Sequence, residues 1–414
     1  MRRLIIRHVG PINSIDIELN KVNVFIGPQG CGKSTIAKII SFCSWLEKQN
    51  DVTFRATGDG LIKRLCDFHH LDGYFSSDSV ILYIGDNIVF SYNWPEGESL
   101  PFLGDRFSNG FPEYIHKNEY FSSAVDKKVN PKVSYIPAER NFVSAIPNLK
   151  DYSGQHDNIQ SFVNDWYDAK RHYTRETPLI VEGLNIGYFY NQGIDVDYLS
   201  VNKGVSIPLS SASSGFQSIV PLWVLVEWLS AGIYKENKPF SPAENEKFNE
   251  ILEHISNVSE VDSELMERIS GFLQGRVYTH TQFIIEEPEQ NLFPKTQMDL
   301  LYYLLKEINH GRNHHLVLTT HSPYVLYALN NCMLAYLVKD KMDSDVMSEI
   351  NCMNFAFNPQ DVSVWSISDG FIENIQKEKN RTIQDDRGLI RRNYFDDVMK
   401  EVMSEFNMML PYYD

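Results

Sequence analysis

Apolar positions in this chain fall into short runs with strand character, separated by longer stretches of helical period, as in an α/β protein. Leu4 to Val9 and Ile15 to Leu19 predict two strands joined by a turn at Gly10-Pro11-Ile12-Asn13. Val22 to Ile26 is short and nearly continuously apolar, the pattern of a strand buried on both faces of a parallel sheet. A helix follows from Lys33 to about Glu47, with Ile36, Ile39, Ile40, Cys43 and Leu46 near one face. Val80 to Phe90, with Gly85-Asp86-Asn87 at its centre, predicts a hairpin, and Lys132 to Pro137 another strand. Residues 150–180 read as largely helical. Strands around Leu179 to Tyr190 and Val205 to Leu209 lead into a Ser-rich turn and a long apolar helix, Phe216 to about Leu229. Residues 233–275 form a polar, helix-prone insertion with too few heptads for a long coiled coil. Phe283 to Ile285 and Leu316 to Thr319 read as strands flanking a helix at Leu300 to Ile308. A hairpin (Val362 to Ile367, Ser368-Asp369-Gly370, Phe371 to Ile375) and an amphipathic helix from Tyr394 to Met408 come last.

Composition narrows this picture. A chain of 414 residues holds one large α/β domain with insertions or two modest domains. At 43% hydrophobic and 22% charged residues, disorder does not dominate. No run approaches the ~20 apolar residues of a membrane helix, and the apolar run at the N-terminus is too short for a signal peptide. The five cysteines (31, 43, 66, 332 and 352) form no CxxC pair, which argues against zinc and against a disulfide framework and points to a reducing, cytoplasmic setting. The formal net charge of −16 favours protein partners over nucleic acid, since DNA-binding domains carry a basic excess. Two runs, Lys170 to Arg175 and Arg387 to Arg392, are able to line a local basic groove. A solvated charged face is the plainer reading of each.

The chemistry concentrates in four places. Gly27-Pro28-Gln29-Gly30-Cys31-Gly32-Lys33-Ser34-Thr35 is a full GxxxxGK[ST] pattern between an apolar strand and a helix. Its glycines let backbone N–H groups close on phosphates, Lys33 reaches the β and γ phosphates of ATP, and Ser34 ligates Mg²⁺. Phe283-Ile284-Ile285-Glu286-Glu287 is an apolar strand ending in two carboxylates, so that Glu286 suits the metal and Glu287 the attacking water, as general base. His321, just past the strand Leu316 to Thr319, stands where sheet enzymes place ligand contacts and suits the γ-phosphate. Ser210 to Gln217 opens a helix with small residues, a second anion site. The chain already has a phosphate loop, so this one is suited to capping the nucleotide of another copy, through Ser213, Ser214, Gly215 and Gln217.

In this order, phosphate loop, Ser-Ser-Gly-x-Gln, Glu286-Glu287-Pro288-Glu289 and Thr320-His321-Ser322-Pro323, the chain resembles the ABC ATPase heads of the SMC, RecF and OLD group, and most of all the OLD-type branch. Leu292 stands at that group's D-loop leucine, and Tyr135-Ile-Pro-Ala-Glu-Arg-Asn is similar to a segment of these ATPases. The chain departs from the pattern in Asn291 and Phe293, where OLD-type proteins often carry histidines. It also has Glu139 and Arg140 where a Q-loop glutamine is expected. Asp343-Ser344-Asp345 mimics the Asp-x-Asp of a Toprim nuclease but reads as a turn, and the stretch after His321 is short for that domain.

The resemblance implies an α/β ABC head spanning 1–414: a mostly parallel sheet around the phosphate loop, an antiparallel N-terminal lobe extended by 51–200, a helical insertion at 233–275, and a C-terminal hairpin and helix within 330–414. It implies ATP and Mg²⁺ as cofactors and a homo-oligomer that engages head to head on ATP. Two roles follow. One is the ATPase and sensor subunit of an anti-phage defence system controlling a separately encoded effector such as a nuclease. The other is a RecF-like or SMC-like DNA repair ATPase. No Asn-Lys-x-Asp guanine motif is present.

Overall fold

A computed structural model describes residues 2–48, 58–86, 88–95, 98, 120–122, 129–146, 149, 156–181, 183–201, 204–235, 277–372, 382–391 and 393–413. The expected insertion at 233–275 lies almost wholly outside these residues, as do 373–375 of the expected last hairpin.

An eleven-stranded sheet organises the chain, with strand order β6-β5-β4-β1-β2-β15-β14-β3-β13-β12-β7. One half is antiparallel: β1 (Arg2–Val9), β2 (Ile12–Leu19), β4 (Phe75–Ile84), β5 (Ile88–Tyr92) and β6 (Tyr120–Ser122). The other half is parallel: β14 (Val362–Ser368), β3 (Val22–Ile26), β13 (His315–Thr319), β12 (His280–Glu286) and β7 (Pro131–Ile136). The short β15 (Phe371–Ile372) joins the halves, turning back from β14 through Asp369 and Gly370, both at positive φ, and pairing with β2.

The parallel half is buried on both faces, and alternate residues go to different cores. Val22, Val24, Ile26, Phe283, Ile285, Leu316 and Leu318 pack with α4 (Ser214–Ser230), α5 (Pro294–Ile308) and α6 (Pro323–Val338). Phe25, Ile284 and Val317 face α1 (Lys33–Lys48) and, beyond it, α2 (Gly58–His69). A separate four-stranded antiparallel sheet, in the order β11-β10-β9-β8, runs through β8 (Leu179–Val181), β9 (Ile186–Asn191), β10 (Val196–Val201) and β11 (Val205–Pro208). It sits between α3 (Asn158–Lys170) and α4 in the chain. The last helix, α7 (Tyr394–Met409), starts at an Asn393 cap that accepts from Phe395 and Asp396 N–H; the Tyr327 hydroxyl donates to Asp396 at 2.7 Å.

Four expectations need correction. The helical stretch Ser214–Tyr234 is long and apolar enough to cross a membrane, although no such run was expected; 67% of its most apolar window is buried inside the protein, which makes it a core helix here. Strand β10 was not anticipated, because only Leu199 on it is buried and its sequence alternates weakly. Helix α6 was missed because it is apolar nearly all round and so shows little helical period. Lys170 is not part of a basic groove. It is 2% exposed, paired with Asp195 (3.4 Å) and Asp197 (3.2 Å), and set against the rings of Tyr167 and Tyr190, while Arg171 pairs with Asp168.

At the end of α2, His69 is fully buried, edge-on to Phe68 and Tyr135, and neither ring nitrogen has a hydrogen-bond partner. Burial pushes its pKa down to about 3, with Lys38 and His70 adding to the shift. An imidazole in the unfolded chain titrates near ~6.5, so on acidification the unfolded state takes the proton first. The stability conferred by neutral His69 is therefore complete above that value and is lost as pH falls from it toward the folded value. Relative to His69→Phe, the native chain should lose about 2 kcal/mol of unfolding free energy between about pH 7.5 and pH 5, measured by denaturant titration. An equal pH dependence in both proteins would refute this.

Candidate nucleotide site

The phosphate loop leaves β3 and enters α1, and its shape is set by what presses on it. Gly27 has φ 147°, and a Cβ there would lie 2.2 Å from the Ile367 carbonyl oxygen at the end of β14. Gly32 has φ 105°, and a Cβ there would meet Ile12 at 2.8 Å. Both positions demand glycine on conformation and on space. Pro28, Gln29 and Gly30 form an exposed tip, whereas Cys31, Gly32, Lys33 and Thr35 are buried and Ser34 is exposed. The Lys33 ammonium donates to the Gly27 and Pro28 carbonyls at 3.0 and 2.8 Å and lies 3.7 Å from Cys31 Sγ. The lysine is thus already held across the mouth of its own loop.

Glu286 ends β12. It is 8% exposed, and its Oε1 has no hydrogen-bond partner. Burial raises its pKa, against the pull of the Tyr135 and Ser34 hydroxyls and of Lys38. Glu287 follows at φ 41°, in the left-handed region that a non-glycine residue seldom occupies. Its N–H donates to Thr319 O at 2.9 Å, and its carboxylate lies 3.6 Å from His321 Nε2. His321 has a lowered pKa because of burial and then Lys33, with Glu287 pulling the other way, so the ring favours its neutral form. The His321 N–H donates to Glu289 Oε1 at 2.6 Å, while Glu289 Oε2 stays unpartnered.

Two side chains tie these turns together. Gln297 on α5 donates to Leu292 O at 2.8 Å and accepts from the Ser322 hydroxyl, which also caps α6 through Tyr324 and Val325 N–H. Arg140, with no exposed surface, donates to five carbonyls, among them those of Glu286 (3.0 Å), Glu287 (3.1 Å) and Pro288 (2.9 Å).

The turn at Ser210 to Gln217 lies elsewhere. Ser213 precedes α4 with no side-chain cap bond, Ser213 and Ser214 are exposed, and Gln217 donates to Ser210 O and Ala212 O at 3.0 Å each. A Cβ at Gly215 would sit 3.0 Å from Asn291 O, so this turn abuts the residues after Glu289. No hydrogen bond among the described residues joins it to Gly27–Thr35 of the same chain. Asp343 and Asp345 lie at the start of a short exposed helix, Ser344–Ser348.

No family model matches the chain, and no curated protein matches it. Solved structures do. An SMC head domain from Thermotoga maritima aligns over 79% of this chain and 90% of its own, at 10% identity and a TM-score of 0.34. A nucleotide-free ATP-binding cassette from an ABC transporter aligns over 92% of each chain, at 12% identity and a TM-score of 0.28. A dimeric cassette in a post-hydrolysis state bound to ADP and Pi aligns over 92% of this chain and 99% of its own, at 11% identity and a TM-score of 0.27.

The structure thus gathers Lys33, Ser34, Glu286, Glu287 and His321 at the C-terminal ends of β3, β12 and β13, while among the described residues no hydrogen bond joins Ser213, Ser214, Gly215 or Gln217 to the phosphate loop. Sequence reasoning missed the roles of Arg140, Gln297 and Tyr135. Arg140 carried a signal, a cation directly after a buried strand where a glutamine was expected. The donor set fits Mg²⁺ with a nucleotide, because an exposed Ser34 hydroxyl adjoins an orphaned carboxylate oxygen, and magnesium takes one or two protein ligands alongside phosphate oxygens.

A buried carboxylate with an unmet oxygen costs stability until a cation satisfies it. Glu286→Gln should therefore raise the melting temperature without nucleotide, by on the order of 1 °C, and abolish the further rise that ATP and Mg²⁺ produce in the native chain. A variant that melts lower than the native chain without nucleotide would refute the first half, and an intact nucleotide-dependent rise the second.

Proposed function

We propose that this chain is an ATP-binding and ATP-hydrolysing enzyme of the ABC type whose catalytic site is completed by a second copy of itself. One observation carries the reading: the phosphate loop, the Glu286-Glu287 pair and His321 follow three adjacent parallel strands, β3, β12 and β13, and converge on one point. In this reading the loop N–H groups and Lys33 hold the phosphates, and Ser34 with Glu286 hold Mg²⁺, which when bound neutralises phosphate charge. Glu287 orients the attacking water and takes its proton. His321, favouring its neutral form, has a nitrogen free to hydrogen-bond the γ-phosphate. Ser213 and Ser214 are exposed, Gly215 and Gln217 half-buried, and no hydrogen bond among the described residues ties them to their own phosphate loop, which suits a turn that serves the partner's nucleotide.

The biological role follows from motif order and charge. We read the chain as the sensor and scaffold subunit of an anti-phage system that controls a separate protein effector through head-to-head engagement. The DNA-repair alternative is weakened by Lys170, which is spent on a buried ion pair and cannot reach a phosphate backbone. An effector complex indifferent to ATP would count against the defence role.

Glu287→Gln should bind ATP without turning it over. In light scattering, ATP and Mg²⁺ should raise its mass from the 47.8 kDa of one chain toward twice that value or a larger closed assembly. A mass fixed at one chain with ATP bound would sink the trans arrangement, and a Lys33→Ala chain that binds ATP as well as the native one would sink the site.

A further inference from the structure

The Arg140 guanidinium has five N–H donors and uses all of them on backbone carbonyls. Nε donates to Ser218 O at 3.0 Å, one terminal nitrogen to Pro137 O (3.3 Å) and Glu286 O (3.0 Å), and the other to Glu287 O (3.1 Å) and Pro288 O (2.9 Å). These carbonyls belong to three pieces of chain: the turn after β7, the turn after β12 that carries Glu287, and the first turns of α4 just behind Ser213 to Gln217. Burial lowers the pKa of Arg140 to about 10, partly offset by Glu289, Glu287 and Glu139, so it remains a cation at neutral pH.

A second contact reinforces the first. Pro221 lies inside α4 and has no N–H, which leaves the Gln217 carbonyl without its helical donor. The Ser144 hydroxyl, four residues past Arg140, donates to that carbonyl at 3.3 Å. The segment from Pro137 to Ser144 is thus a saddle, gripping the Glu287 turn on one side and the base of the Ser213–Gln217 turn on the other.

We infer that Arg140 is a positioning residue that couples the two halves of the composite site, so that the placement of Glu287 against one nucleotide and the presentation of Ser213–Gln217 to the partner's nucleotide change together. This rests on the trans reading above. A guanidinium bonded to both turns leaves them little independent movement, since shifting one alone breaks charge-assisted hydrogen bonds to a fully buried cation. Glu287 at φ 41° is a conformation that needs its surroundings to enforce it, and three of the five bonds lie on its own turn.

The test is Arg140→Lys, which keeps the charge but cannot fork to three segments, made alone and in the Glu287→Gln background. Alone, it should lower kcat by about 100-fold with KM within about threefold of native, because the loop that binds ATP is untouched while the carboxylate is misplaced. With Glu287→Gln, it should bind ATP as the parent does but need about tenfold more protein to associate. Ser144→Ala loosens the α4 side and, with the two turns moving together, should weaken ATP-driven association about threefold and lower kcat per assembled site about twofold. It decides the matter if Arg140→Lys does not fold, and unchanged association in Ser144→Ala would then overturn the coupling. Native kcat and association in Arg140→Lys would overturn it, as would loss of ATP affinity in step with a lower melting temperature, which marks a purely structural arginine. A Glu287→Gln parent that ignores ATP sinks the head-to-head reading itself; an unaltered Arg140→Lys against a responding parent sinks only the coupling.

Discussion

Registration of the parallel strands is the constraint on which the site depends. Glu286 pairs with Thr319, and Thr319 with Phe25, so the ends of β12, β13 and β3 lie in one row. The ladder then runs one step further, with Glu287 N–H on Thr319 O and Thr320 N–H on Phe25 O. Every catalytic candidate follows that row by one or two residues. Because each strand buries both faces, a slip of one residue would put Phe25 and Ile284 into the wrong core and turn each motif away from the others. The cores on the two sides of the sheet therefore place the carboxylates, and one core residue, Tyr135, also reaches Glu286 through its hydroxyl.

Beyond that row the backbone leaves regular structure, and polar side chains take over. Glu289 receives the His321 N–H, Gln297 spans from Leu292 to Ser322, and Arg140 grips the carbonyls from Glu286 to Pro288. The sum is rigid but not fully satisfied. Glu286 Oε1 and Glu289 Oε2 are buried without partners, and both carboxyls are pushed above the usual range by burial. Unmet buried acceptors of this kind suit a cation and cost the protein stability without one.

What the sequence made legible divides along physical lines. The phosphate loop, β3, α1, the β4–β5 hairpin and the strand bearing Glu286 are local patterns: a continuous apolar run, a helical stripe or a turn tripeptide suffices. Residues whose meaning depends on distant chain were opaque. Arg140 reads as an ordinary surface charge until the carbonyls of residues 286, 287, 288 and 218 surround it, and Lys170 reads as basic surface until Asp195 and Asp197 close over it. The α6 sequence starts with a legible Ser322-Pro323 signal, yet Tyr324, Tyr327 and Leu334 put apolar side chains on its exposed face as well, so periodicity has little to detect.

The same logic explains why the bonds that would carry the proposed coupling lie at this point in the fold. Helix α4 is apolar enough to pass for a membrane span, since it fills the core between the large sheet and α5. A buried helix must satisfy every backbone group internally, yet Pro221 withholds a donor one turn above the Ser213–Gln217 turn. The missing bond has to come from neighbouring chain, and the nearest is the turn after β7, adjacent to β12 in the sheet. Because β7 lies beside β12, the turn that repairs α4 is also the one that reaches the Glu287 carbonyl. The proposed link between hydrolysis and partner recognition would therefore be a consequence of satisfying buried polar groups, and it needs no element added for the purpose.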